Sequence, residues 1–212
     1  MDIGHVRREY TQAGLNREDL QDDPFKQFEI WFKQASDANI SDPNAMGLAT
    51  ASRDARPTLR TVLLKYFDAE GFVFFTSFES TKAQQIAANP NVSLLFPWIE
   101  LDRQVIVNGT AARISTRESL RYFLTRPRGS QLGAWVSKQS SVISSRRILE
   151  VKLDEMKRRF ASGNIPLPSF WGGYRVKPTQ IEFWQGRPNR LHDRFLYVHN
   201  QHDSWEIKRL AP

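Results

Sequence analysis

Apolar positions along this chain follow two rhythms, one near 3.6 residues and one of two residues, in separate stretches. Asp23-Pro24 opens a helix, an N-cap acceptor followed by proline at the first helical position. Phe25, Phe28, Trp31, Phe32 and Ala35 then recur on one face, an aromatic stripe that reads as core. Upstream, residues 1–22 form a polar arm with a short helical stretch around 6–14. From Met46 the rhythm is that of strands, predicted at 46–51, 58–67, 72–78, 92–98 and 104–114, with polar turns between the early ones. Ser80 caps a short helix that Pro90 ends, and Ser115 with Glu118 forms a capping box for a helix to Thr125, stopped before Pro127. A longer helix is expected over 145–161, and strands return at 171–176, 179–185, 191–198 and 205–210.

Closely spaced strands joined by short turns pair antiparallel rather than through crossover helices. The expected fold is mainly β with flanking helices, a closed or nearly closed barrel, since closure removes exposed edges. No repeat, low-complexity tract or Gly/Ser linker divides the 212 residues, so the prediction is one domain over 23–212 preceded by the arm.

Composition narrows the chemistry. Thirty Lys and Arg against 23 Asp and Glu give a net charge of +7, which favours anionic partners. The excess is carried by 21 Arg and only 9 Lys, and Arg presents a planar fork suited to phosphate. Zero cysteines exclude thiolate catalysis, disulfides and Cys-ligated metal. No apolar run approaches the ~18 residues that span a bilayer. The N-terminus lacks the apolar stretch of a signal peptide, so a cytoplasmic protein is expected. Phosphate-loop, dinucleotide-fingerprint, nucleophile-elbow and zincin motifs are all missing, and the four histidines have no metal-ligand spacing.

Three clusters remain. On a strand over 190–198, alternation puts Arg190, His192 and Arg194 on one face, a grip for an anionic ligand; a solvated sheet face fits the same alternation equally. Tyr122 and Arg126 are one helical turn apart, with Ser130 following in a Gly-containing turn; the three suit a phosphate, and a solvated helix end carries such residues too. Arg60 and Lys65 share a strand, with Ser80 and Lys82 at a helix start. Strand parity puts Arg60 and Lys65 on opposite faces unless a bulge or a barrel rim intervenes.

Segments around these clusters resemble the pyridoxine/pyridoxamine 5′-phosphate oxidase family over residues 5–212. They are Arg7-Arg8-Glu9-Tyr10, Arg60-Thr61-Val62-Leu63-Leu64-Lys65, Tyr122-Phe123 with Arg126-Pro127-Arg128 and Ser130-Gln131, and Trp135 to Ser141. Pro168 to Gly173, Glu182 to Gly186 and Arg190-Leu191-His192-Asp193-Arg194 complete the series. The resemblance implies a split β-barrel that binds FMN and works as a homodimer with active sites shared between subunits. It implies flavin contacts at Arg60, Thr61, Val62, Leu63, Lys65, Phe75, Thr76, Lys82, Gln104, Gln139, Ser140, Trp184 and Arg194. Substrate phosphate is assigned to Lys65, Tyr122, Arg126 and Ser130. Arg190 and His192 are assigned to the pyridine ring as catalytic groups, under an arm bearing Arg7, Arg8 and Tyr10. The implied reaction passes a hydride from C4′ of pyridoxine or pyridoxamine 5′-phosphate to the flavin and returns it to O2 as H2O2, releasing ammonia from the amine. Neither a nucleic-acid nor a membrane partner is implied.

Two positions depart from the family pattern. Thr81 stands where a second basic residue is usual, and Phe75 where some members have Tyr. The rival readings are a flavin reductase on the same barrel, which has no need of the Tyr122, Arg126 and Ser130 cluster, and a basic barrel binding single-stranded nucleic acid. The second fits poorly with basic residues spread along the chain.

Overall fold

Asp23 accepts a hydrogen bond from the Phe25 amide at 2.9 Å and starts helix α1, Pro24–Asp37, as its sequence dictates. Phe28, Trp31 and Ala35 are fully buried from this helix and pack against the sheet. The computed structural model describes Met1, His5, Tyr10 and residues 14–200 and 204–212. Most of the short helical stretch expected over 6–14, with Arg7 and Arg8, lies outside the described residues.

Among the described residues nine strands form one antiparallel sheet: β1 (Ala45–Ala51), β2 (Pro57–Leu63), β3 (Tyr66–Asp68), β4 (Gly71–Ser77), β5 (Asn91–Trp98), β6 (Arg103–Arg113), β7 (Trp171–Gln185), β8 (Asp193–His199) and β9 (Trp205–Leu210). The main path runs β2-β1-β5-β6-β7-β4-β3, and β8 and β9 extend from β7. Its two outer strands, β2 and β3, are separated in the chain only by Leu64 and Lys65. A seven-strand path whose ends are two residues apart must curl on itself, so the sheet is a nearly closed barrel. Inside it lie Met46, Leu48, Phe72, Phe74, Leu94, Phe96, Val105 and Val107, all fully buried.

Closure explains the first departure from the expected strands. The run predicted as one strand over 58–67 breaks at Leu64, whose amide donates to Asn44 O at 2.8 Å, while the Lys65 amide donates to Val73 O at 2.8 Å. The chain changes partners there, and strand parity is reset between Arg60 and Lys65. The second departure is a fusion: 171–176 and 179–185 form the single strand β7, bent where β6 shifts register between Asn108 and Gly109. Pro178 sits at this bulge, where a missing N–H disturbs the ladder least. Gly109 is required there, since a Cβ would stand 2.1 Å from Lys177 O.

Helices α2 (Thr81–Ala88), α3 (Thr116–Thr125) and α5 (Arg147–Arg159) lie where expected. Ser115 and Glu118 close the predicted capping box, with the Glu118 amide donating to Ser115 Oγ at 3.1 Å. Helix α4, Arg128–Val136, was not expected, because Gly129 and Gly133 weaken its helical signal. It buries Leu132 and Val136 in a second core with Phe123, Met156, Phe160 and Trp171. No helix among the described residues is long and apolar enough to cross a membrane.

Two glycines give opposite predictions. Gly109→Ala forces backbone apart at the bulge and should cost about 2 kcal/mol. Gly133→Ala meets nothing within 4 Å on α4 and should gain about 0.5–1 kcal/mol. Urea denaturation of both variants checks the pair, and equal effects would contradict this reading of the bulge.

Candidate active site

The cations split into those neutralised by carboxylates and those that are not. Buried Asp193 accepts from Arg187 Nε at 3.0 Å and from Arg209 Nη1 at 3.2 Å, and Arg175 is ringed by Asp68, Glu70 and Glu118. Arg60, Lys82 and Arg126 have no ion pair among the described residues, and each is held by neutral groups.

Lys82 opens α2 behind the Ser80 cap and is nine-tenths buried. Its Nζ donates to Thr76 Oγ1 at 3.3 Å, and Thr76 Oγ1 donates to Gln139 Oε1 at 2.9 Å. Burial pushes the Lys82 pKa down, and the Arg60 charge pushes it further. Arg60 donates from Nη1 to Leu48 O at 2.9 Å and to Thr50 Oγ1 at 2.6 Å, and from Nη2 to Thr58 Oγ1. Ser140, in a left-handed conformation (φ 72°), accepts from the Thr81 amide at 3.3 Å. Two neighbouring cations, a hydroxyl and a helix N-terminus converge here with no carboxylate paired to either cation among the described residues, an arrangement that favours an anion.

One residue back along β4, Phe75 stacks on Tyr122 of α3 (centroids 3.9 Å apart) and on Trp171 of β7 (5.3 Å). Arg126, the C-cap of α3, lies over the Trp171 ring at 4.7 Å. Among the described residues its Nη1 is buried without a hydrogen-bond partner, and burial lowers its pKa. A buried guanidinium nitrogen left open is a costly feature unless a ligand completes it. The structure thus brings Tyr122 and Arg126 together. Lys65 and Ser130 are exposed and make no hydrogen bond to Tyr122 or Arg126 among the described residues, and Ser130 sits in the first turn of α4 rather than in the expected turn.

A second group lies at the far end of β7. Gln104, Trp184 and Arg194 are direct partners across β6, β7 and β8 and so form one row on one face. Arg194 is not a free cation: Nε and Nη2 donate to Glu182 at 2.8 and 3.1 Å, and Nη1 to Ala211 O at 2.9 Å. The expected strand over 190–198 begins only at Asp193, because Asn189 and Arg190 take positive φ (57° and 64°) in the short turn Pro188–Arg190. Alternation therefore does not place Arg190 and His192. His192 is placed instead by its Nδ1, which accepts from the Arg187 amide at 3.1 Å, and by its ring, 4.7 Å from Trp184 and 5.3 Å from Tyr10. Gly186 makes room for the Tyr10 ring, which a Cβ would meet at 2.7 Å.

No hydrogen bond, ion pair or ring contact among the described residues joins the two groups. Along β7, Gly173, the partner of Phe75, and Trp184 are about 36 Å of strand contour apart at ~3.3 Å per residue. Sequence reasoning left out Thr50, Thr58, Gln85 and Trp171. Thr50 and Thr58 face each other across the β1–β2 hairpin, and that pairing was the available signal.

The profile described as pyridoxamine 5′-phosphate oxidase matches residues 32–160, and that of the pyridoxine 5′-phosphate oxidase C-terminal dimerisation region matches residues 171–212. The chain belongs to the pyridoxine/pyridoxamine 5′-phosphate oxidase family. Relatives of that name from Rippkaea orientalis and Aliarcobacter butzleri are 66% and 58% identical over 100% of both chains. Among solved structures, PhzG from Burkholderia lata 383, in complex with tetrahydrophenazine-1-carboxylic acid, superposes with a TM-score of 0.89 at 26% identity, covering 95% of this chain and 99% of that one. The split barrel expected from the family is thus the fold observed.

Burial holds the His192 pKa below 6.5, with the Arg190 charge adding to the effect and Asp193 opposing it. A histidine with a lowered folded pKa contributes stability above its unfolded pKa and loses it as pH falls through that value towards the folded one. Arg190→Ala should move the His192 titration upward in an NMR pH series; an unchanged midpoint would separate the two residues electrostatically.

Proposed function

We propose that this chain is a cytoplasmic, FMN-dependent oxidase that converts pyridoxine or pyridoxamine 5′-phosphate, with O2, to pyridoxal 5′-phosphate and H2O2, releasing ammonia from the amine. It works as a homodimer whose active sites each combine the two groups from different subunits. The observation that carries this reading is the pair of anion positions beside Phe75 and Thr76, each built from cations that no carboxylate among the described residues neutralises. One phosphate at each accounts for both a flavin mononucleotide and a phosphorylated substrate.

The residues fit FMN. Lys82 and Arg60 repel each other where they are, and a phosphate between them relieves that repulsion and the cost of burial together. The Gln139 Nε2 amide and the Ser140 hydroxyl add neutral donors, Thr76 holds Lys82 through its hydroxyl, and Arg60 to Leu63, Lys65 and Phe75 bring the chain alongside the flavin. FMN, when bound, supplies the two-electron acceptor, while the protein supplies binding, orientation and electrostatics.

Arg126, with Tyr122, Lys65 and Ser130, holds the substrate phosphate away from the reacting carbon and so fixes orientation. From the second subunit come the Gln104, Trp184 and Arg194 row against the flavin, and Arg190 and His192 at the pyridine ring. With Nδ1 accepting from Arg187, neutral His192 carries its proton on Nε2 and presents a donor to the substrate. Tyr10 stands edge-on to His192 and Trp184 at this end.

The test is the visible spectrum of purified protein under anaerobic addition of pyridoxamine 5′-phosphate. Flavin absorbance that bleaches supports the oxidase; a protein that takes up no flavin, or flavin that stays oxidised, overturns it. Arg126→Met should lower kcat/KM for the phosphorylated substrate about 10- to 100-fold, the loss of one charged contact. Unphosphorylated pyridoxamine should react no differently with the variant.

A further inference from the structure

Three of the five donors of Arg60 are already used inside the chain. Thr50 Oγ1 and Thr58 Oγ1 lie 3.3 Å apart and accept from Nη1 and Nη2 respectively, so together they occupy the end-on edge of the guanidinium. Leu48 O takes the other Nη1 hydrogen at 2.9 Å. What remains is Nε–H and the adjacent Nη2–H, the side-on fork that matches two oxygens of a phosphate.

The two hydroxyls are themselves oriented. Each has a single proton, and both protons go to one acceptor, Gln85 Oε1, at 2.5 Å from Thr50 and 2.6 Å from Thr58. With their protons turned to Gln85, the hydroxyls present only lone pairs to Arg60. Gln85 is one helical turn beyond Lys82 on α2, so a single helix governs both cations. Lys82 repeats the arrangement through Thr76 and Gln139, again cation, threonine hydroxyl and glutamine carbonyl in series.

We propose that Gln85 is a positioning residue for cofactor binding: through Thr50 and Thr58 it fixes the rotation of the Arg60 guanidinium so that the side-on fork faces the FMN phosphate. Gln85 makes no hydrogen bond to Arg60 among the described residues and acts through the two hydroxyls. This rests on the FMN reading above. Without the acceptor the hydroxyl protons are free to turn towards the guanidinium, which then loses its fixed orientation and part of its hold on the phosphate.

The experiment titrates apoprotein with FMN and with riboflavin, which lacks the phosphate, following flavin fluorescence quenching in a double-mutant cycle of Gln85→Met and Arg60→Met. Gln85→Met should weaken FMN about five- to tenfold, the scale of one or two neutral hydrogen bonds, and leave riboflavin unchanged. The effect should vanish in the Arg60→Met background. Unchanged FMN affinity in Gln85→Met, an equal loss for riboflavin, or full additivity with Arg60→Met would each overturn the positioning role. If Arg60→Met itself leaves FMN affinity unchanged, the phosphate site is misplaced and the proposal falls with it.

Discussion

Strand β7 is the member on which the rest of the architecture depends. Its first half pairs with β4 and places Gly172 and Gly173 opposite Thr76 and Phe75; its second half pairs with β8 and displays Trp184 beside Arg194. One continuous strand therefore carries one candidate group at each end. Ligand pockets of about 300–1,000 Å³ are on the order of 10 Å across. A group of that size is well short of the ~36 Å of strand contour from Gly173 to Trp184. In the proposed dimer the second copy brings the missing half to each site, and the match of residues 171–212 to a dimerisation region fits that arrangement.

The second organising constraint is where carboxylates are withheld. Asp193, Glu182, Asp68, Glu70 and Glu118 neutralise the arginines that hold strands and termini together. Around Arg60, Lys82 and Arg126 the partners are threonine hydroxyls, backbone carbonyls and aromatic faces. Such partners orient a cation without cancelling its charge, so an anionic ligand meets an undiminished field in a partly desolvated setting. Net charge alone predicts an affinity for anions; the placement of neutral acceptors decides which arginines express it.

Much of this was legible in the sequence because local signals agreed with the tertiary structure. The Asp23-Pro24 start, the Ser115–Glu118 box and the strand alternation from Met46 to Ile114 each specify a backbone state with their own side chains. What stayed hidden depended on distant partners. The break at Leu64 exists because the barrel closes there, and α4 forms through burial of Leu132 and Val136 despite two glycines. Arg190 and His192 were singled out for a strand face they do not occupy. Their turn is set by positive φ at Asn189 and Arg190, which period-two alternation cannot anticipate.

The most direct test of the shared site is complementation between two inactive variants. One carries Lys82→Met with Arg126→Met, the other Trp184→Ala with Arg190→Ala, and the two are mixed in equal amounts and allowed to exchange subunits. Random pairing makes about half the dimers mixed, each with one site built wholly from native residues, so about one quarter of wild-type activity should return. Activity no greater than the sum of the two parents, with mixed dimers verified by mass, would contradict a site assembled from both subunits.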